Sequence, residues 1–480
     1  MLAQGQLAHA ADAAHMLLAV SPESGEAHAL LGKLAARHGD ADTALHHLER
    51  VDANTLAVDP DAAAARGVML VRVGRYIDAI APLRLAANGS SDPLGNLLRL
   101  AWVFERLGRF EELRGVLGEA HTLAARFGHD IRVREAILLA RTEDWDKALA
   151  TLDGAEGLSG EERLARGRLR DRAGRYDEAW QDFVGGKRDI AATQRLSYPA
   201  AAVATHFEKL AAVFTPDRMA HSPGADVAES APQPIFVAGA PRSGTTLAER
   251  LITQKGEVDP RGELSFVPEV VGRLTAELGA YPDALATDAR GFEKRFGTGI
   301  RDAYLGLCRR DTRWAAPRFT DKMPFNEQHL PLISLAFPSA PVVIMTRHPL
   351  DVIVSMMSHQ LTHGFHCALD PADAAHHLVA VDRLTEHWKA SGCRFARMRY
   401  EDLVHDPSDG EIRLLEIVGV ASEETAKSAM KTVAATPSYA DVGGPVERRS
   451  LFRWQNYAEH MREIIPLVAE IAQRRGYDLD

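Results

Sequence analysis

The run Pro234-Ile235-Phe236-Val237-Ala238-Gly239-Ala240-Pro241-Arg242-Ser243-Gly244-Thr245-Thr246-Leu247 constrains this chain more than any other. It reads as a buried apolar strand, a glycine-bearing turn and a helix opening near Thr245. That order builds a cradle for phosphate, because backbone N–H groups of the loop and the positive end of the helix converge on an anion. Gly239 and Gly244 stand in the G-x-x-x-x-G frame of a P-loop. Thr245 then occupies the place of the lysine that grips nucleotide phosphates in ATPases. The loop can hold a phosphate but lacks a standard part for moving the γ-phosphoryl of ATP. A different donor nucleotide is implied.

The first half of the chain is periodic. Gly39-Asp40-Ala41-Asp42-Thr43-Ala44, Gly74-Arg75-Tyr76-Ile77-Asp78-Ala79, Gly108-Arg109-Phe110-Glu111-Glu112-Leu113, Glu143-Asp144-Trp145-Asp146-Lys147-Ala148 and Gly174-Arg175-Tyr176-Asp177-Glu178-Ala179 repeat one pattern. Counting a weaker copy at Gly5, successive starts lie 34, 35, 34, 35 and 31 residues apart. This resembles the tetratricopeptide repeat, a helix–turn–helix unit of about 34 residues. A glycine ends the first helix at positive φ, an aromatic two residues on wedges between helices, and a small residue three further permits close approach. The copy at Gly5 has no leading helix, so the chain starts mid-repeat or its true start lies upstream. The concave surface of such an array is a peptide or protein site.

Prolines and small polar residues without apolar periodicity fill 215–233, which reads as a linker. The expected organisation is an N-terminal all-α tetratricopeptide-repeat solenoid over 1–214, the linker, and a C-terminal α/β P-loop-type domain with a parallel sheet over 234–480. The 56 basic and 66 acidic residues give a net charge of −10, which disfavours nucleic acid and anionic membranes as partners. Three scattered cysteines suit a reducing compartment and show no metal-ligand spacing. With neither a signal peptide nor an apolar run of about 18 residues in view, a cytoplasmic protein is expected.

Past the first helix comes a charged loop, Arg261-Gly262-Glu263-Leu264. Further on, Asp321-Lys322-Met323-Pro324 precedes Val342-Val343-Ile344-Met345-Thr346-Arg347-His348-Pro349-Leu350-Asp351-Val352-Ile353-Val354-Ser355. Val342–Met345 is β-branched and buried, Arg347 sits just past its end, and Pro349 suits the first turn of a helix. Ser355 then falls about two turns in. Apolar strands alternating with helices predict a parallel sheet that binds ligands at its carboxyl edge.

These residues resemble the sulfotransferase family, in its tyrosylprotein-type and bacterial repeat-containing branch, over about 234–457. Arg242, Ser243, Gly244, Thr245 and Thr246 look like the loop that binds the 5′-phosphosulfate of PAPS (3′-phosphoadenosine 5′-phosphosulfate). Arg347 and Ser355 look like the ligands of its 3′-phosphate. The resemblance implies Glu263 as general base, Lys322 as the cation on the bridging oxygen of the leaving nucleotide and Arg242 beside the reacting group. Tyr400, Ser438 and Arg453 are further nucleotide contacts on the same ground. The donor is then PAPS and the acceptor a hydroxyl, with a protein or peptide tyrosine the candidate that the repeats favour.

Chemistry supports the assignment. A sulfuryl group carries fewer charged oxygens than a γ-phosphoryl, so positioned donors and one cation can replace Mg²⁺, and no metal is expected. Glu263 has an alternative as a solvated loop carboxylate or a partner of Arg261, and Glu257 and Glu269 are rival bases. The chain departs from the branch at His359, where a second arginine belongs, and at Gly444, where a basic residue is usual and Arg448 and Arg449 lie near. His359, His363 and His366 stand at helical spacing but lack a carboxylate or cysteine to complete a metal site. The competing readings are a P-loop kinase with an unusual loop and a nucleotide-binding scaffold with a repeat interaction domain.

Overall fold

The computed structural model describes residues 4–140, 145–226, 233–254, 256–287, 291–309, 317–361, 364–420 and 450–479. The chain divides into two compact units, Met1–Gly157 and Leu158–Asp480. Among the described residues, no helix is long and apolar enough to cross a membrane.

Met1–Gly157 is built from helices that pack in sequential pairs: Gly25–Arg37 with Ala41–Leu48, Pro60–Arg72 with Tyr76–Ala87, and Pro93–Arg106 with Phe110–Phe127. Each pair turns on the glycine that the repeat pattern marks: Gly39, Gly74 and Gly108 have φ of 77°, 77° and 66°. The next residue's N–H returns to the helix just left, from Asp40 to Ala35 O, Arg75 to Leu70 O and Arg109 to Phe104 O, at 2.8–3.1 Å. This is how left-handed glycine caps satisfy the last carbonyls of a helix. The small residues lie at the helix contacts, with Ala44 and Ala79 fully buried.

The aromatics are less uniform than expected. Tyr76 is buried edge-on against Trp102, with ring centroids 5.6 Å apart. Phe110 is 38% exposed, because it opens its helix and burial at that turn passes to Leu113 instead. Gly5 lies within the helix Gln4–Val20 rather than ending one.

In Leu158–Asp480 a four-stranded sheet runs in the order β2-β1-β3-β4, with every pairing parallel. The strands are β1 (Gln233–Ala238), β2 (Arg318–Asp321), β3 (Val342–Thr346) and β4 (Ala396–Arg399). Alternate residues enter opposite cores. Phe236, Ala238, Val342 and Ile344 pack with the helices Lys294–Cys308, Leu330–Ala336 and Pro371–Ala390. Ile235, Val237, Val343, Met345 and Met398 pack with Thr245–Thr253 and Pro407–Val418. Burial of both faces explains why β1 and β3 are almost continuously apolar.

The stretch 215–226 is packed against this unit. It holds the helix Pro216–Ala220, buries Arg218 over the ring of Phe292 at 4.1 Å, and passes the Ala225 N–H to Leu335 O at 2.8 Å. A further helix pair, Gly160–Arg172 with Tyr176–Gln194, also belongs here and turns on Gly174 at φ 76°. Its Leu164, Trp180, Phe183 and Ile190 share one core with Leu350, Ile353 and Val354 of the helix Pro349–Met357 and with Trp454 and Tyr457. The helix after β3 therefore packs against the hairpin.

Candidate active site

All four strands end on the same side, and the residues that follow them build the site. After β1, the loop 239–244 makes a tight turn. Gly239 has φ 128°, and a Cβ there would lie 2.3 Å from Met345 O. Gly244 has φ 101°, and a Cβ there would lie 2.6 Å from Cδ2 of Tyr400. Only glycine fits either place. Arg242 itself takes φ 73°, a conformation costly for a side-chain-bearing residue and characteristic of built sites.

The helix Thr245–Thr253 opens directly after the loop and turns its unpaired first N–H groups toward it. Ser243 is 1% exposed, and among the described residues its Oγ has no hydrogen-bond partner. A buried hydroxyl without a protein partner at a helix N-terminus is a group that an anion satisfies. Thr245 and Thr246 are buried beside it.

Arg347 follows β3, and the structure brings it against the loop. Its NH1 donates to Arg242 O at 3.1 Å, its NH2 donates to Ser450 O, and its guanidinium lies 4.6 Å over the ring of Tyr400, the residue that follows β4. Tyr400 OH meets Ser450 Oγ at 2.8 Å. Across the loop, Arg242 Nε donates to Ser355 Oγ at 2.8 Å and NH2 lies 3.5 Å from His359 Nε2. Arg242, Ser243, Gly244, Arg347, Ser355 and Tyr400 thus form one connected cluster.

Glu263 and Lys322 form a second cluster beside it, past the end of β2. Residues 259–262 run along that strand, through Asp259 N to Arg318 O, Thr320 N to Asp259 O and Lys322 N to Gly262 O at 2.9–3.0 Å. Glu249 pins the loop by accepting from Gly262 N at 2.9 Å and Thr320 Oγ1 at 2.7 Å. The outcome is a salt bridge of 2.7 Å between Lys322 Nζ and Glu263 Oε1, with the two side chains 1% and 14% exposed. Arg261 pairs with Asp259 at 2.6 Å. Of the rival carboxylates, Glu257 is exposed, and Glu269 accepts from Ser265 Oγ on the surface. Next to Lys322, Asp321 is fully buried and accepts from Tyr304 OH and Asn326 Nδ2 at 2.8 and 3.0 Å. Burial pushes its carboxyl up to about 7.

Arg453 is held on the hairpin 160–194, donating from Nε to Asp171 Oδ1 at 3.0 Å, and Tyr457 OH donates to the same oxygen. Ser438, Gly444, Arg448 and Arg449 lie outside the described residues, as does His363. The helix Pro349–Met357 ends before His359, and His366 begins a separate 3₁₀ turn, His366–Leu369, so these two do not share a helical face. Among the described residues, no group of three or more His, Cys, Asp or Glu side chains is placed to hold a metal ion.

Three carboxylates that sequence reasoning gave no role hold this site together. Asp351, fully buried, accepts from Phe452 N at 2.8 Å and Trp454 N at 2.9 Å, which fastens the C-terminal segment under Arg347. Glu401 accepts from His348 N at 2.8 Å. Asp171 holds Arg453. A signal existed only for Asp351, an acidic residue in the first turn of an otherwise apolar helix.

Residues 234–424 match the model of the sulfotransferase family. This segment is similar to that family. An uncharacterized protein of Aquifex aeolicus is 26% identical over 456 residues, which cover 92% of this chain and 58% of the relative. The chain thus spans under two thirds of that relative's length. The protein-tyrosine sulfotransferase 2 of Gallus gallus is 22% identical over 261 residues, covering 51% of this chain and 69% of that protein. Among solved structures, the sulfotransferase domain of the Synechococcus PCC 7002 olefin synthase is 19% identical, at a TM-score of 0.31. That match covers 54% of this chain and all of that domain.

Proposed function

We propose that this protein transfers a sulfuryl group from PAPS to an acceptor hydroxyl, with a protein or peptide tyrosine as the first acceptor to try. The observation that carries the reading is the direct contact between the two anion-binding segments: Arg347 donates to the backbone of Arg242 at 3.1 Å. Loops after adjacent parallel strands β1 and β3 thereby share one cradle, as a nucleotide with phosphates at both ends of its ribose requires. The buried Ser243 hydroxyl, without a hydrogen-bond partner among the described residues, and the two crowded glycines fit a phosphosulfate seated on the loop.

The donor's 5′ end lies on Ser243, Gly244, Thr245 and Thr246, and Arg242 neutralises it from the side. Arg347 and Ser355 face the 3′-phosphate, and Tyr400 stacks beneath Arg347. Glu263 accepts the proton of the acceptor hydroxyl as its oxygen attacks sulfur. The S–O bond to the acceptor forms while the bond to the nucleotide phosphate breaks, and the electron pair leaves on the phosphate oxygen. Lys322 starts paired with Glu263. Protonation of that carboxylate removes the partner's charge and releases the ammonium toward the oxygen that is gaining charge.

The helix pairs and their glycine turns support reading 1–214 as a tetratricopeptide-repeat array, followed in the chain by a sulfotransferase domain over 234–480, with the array binding a protein or peptide acceptor. Transfer of radiosulfate from labelled PAPS to a panel of tyrosine peptides, glycans and phenols tests the function. Label on at least one class, lost with Glu263→Ala, supports it; no transfer to any class by the parent protein overturns it.

A further inference from the structure

Two cations of the hairpin 160–194 reach the helix that carries Ser355. Lys187, 2% exposed, donates from Nζ to His359 O at 2.6 Å, and Arg168 NH1 donates to Ser358 O at 2.8 Å. Both carbonyls lie just past the last turn of the helix Pro349–Met357, where cations are favoured by the negative end of the macrodipole. Burying a lysine to cap a short helix is costly, and an exposed lysine would serve the helix alone.

The next link is His359. Its Nδ1 lies 3.0 Å from Ser355 O, a group that only accepts, so Nδ1 carries the hydrogen. Ser358 Oγ, 2.9 Å from Nδ1, gives its own hydrogen to Ser355 O and confirms that direction. Nε2 is then a bare lone pair, and it faces Arg242 NH2 at 3.5 Å. Burial, followed by the charges of Arg242 and Arg168, holds His359 well below the ordinary histidine range, so the ring stays a neutral acceptor.

We propose that the hairpin 160–194, outside the segment matched to the family, is part of the donor site. Lys187 and Arg168 are positioning residues that fix the end of the Ser355 helix, and His359 is the positioning residue that aims the Arg242 guanidinium between itself and Ser355. The inference deepens the PAPS reading and rests on it.

The test is titration calorimetry of the full chain with adenosine 3′,5′-bisphosphate, reading Kd and stoichiometry separately. Partial unfolding lowers the stoichiometry and leaves Kd alone, whereas mispositioning raises Kd at full stoichiometry. Lys187→Met and His359→Leu are each expected to raise Kd about tenfold, the worth of one hydrogen bond to a charged group. His359→Gln, whose amide oxygen can accept from Arg242, is expected to recover most of the loss. Unchanged Kd in both Lys187→Met and His359→Leu overturns the inference while leaving the donor reading intact. Absence of binding by the parent protein overturns both.

Discussion

Replacing Lys187 with methionine is expected to make the protein more stable while it binds nucleotide less well. Burial lowers the lysine from 10.5 to about 7. The charged groups and dipoles facing it are Cys367, Arg168 and the His359 carbonyl. A depression of roughly 3.5 units, at ~1.36 kcal/mol each, is about 5 kcal/mol for the fully charged lysine and about 4 kcal/mol at pH 7, where the folded group is half deprotonated. Loss of the hydrogen bond to His359 O offsets ~1.5–3 kcal/mol of that. The variant is therefore about 1–3 kcal/mol more stable at pH 7, a rise of a few degrees in Tm for a unit of this size.

The pH dependence has a definite sign. Between about pH 7 and 10.5 the unfolded chain keeps the Lys187 proton and the folded chain does not, so the parent gains stability as pH rises through that window. The methionine variant lacks this gain, and its advantage shrinks by about 2 kcal/mol from pH 7 to pH 9. Thermal and urea melts of both proteins at the two pH values measure it. A variant less stable than the parent at pH 7, or a margin that holds constant with pH, refutes the reasoning.

Three further outcomes are expected. Glu263→Gln removes the general base and lowers kcat by about 10²–10⁴. It also leaves the 1%-exposed Lys322 without its carboxylate, a loss of ~3 kcal/mol visible in melts. Arg347→Lys keeps the charge but not the fork that reaches Arg242 O and Ser450 O, so Kd for the bisphosphate rises by about tenfold or more and Kd for ADP changes little. Asp321→Asn acts on stability across a window of its own. The folded carboxyl, raised to about 7, holds its proton between pH ~4 and ~7 where the unfolded one does not. The parent therefore loses stability as pH rises through that range, and the variant's melts are expected to be flatter there.

The loop after β1, the strand and helix around Arg347 and the glycine turns of the helix pairs were legible because each depends on local chemistry. A buried strand needs apolar residues, and a left-handed turn needs glycine. The salt bridge between Glu263 and Lys322 was not legible, since residues 59 positions apart meet only because β2 lies beside β1. Phe110 failed as a core aromatic because the repeat pattern fixes its place at a helix start but not what packs against it. The hairpin's part in the site was hidden most deeply. Asp171, Arg168 and Lys187 look like ordinary charged helix positions, and only the packing of Trp180 and Phe183 against the Ser355 helix and Tyr457 brings them to Arg453, Ser358 and His359.

The central claim is that Arg242 and Arg347 clasp the two ends of one doubly phosphorylated adenosine. Calorimetry of the parent protein with adenosine 3′,5′-bisphosphate, ADP and ATP, each without Mg²⁺, tests it most directly. The account predicts one site that prefers the bisphosphate over ADP by about 10²-fold, the worth of the 3′-phosphate's charge-assisted hydrogen bonds. Equal affinity for the bisphosphate and ADP, or binding of ATP alone, would contradict it.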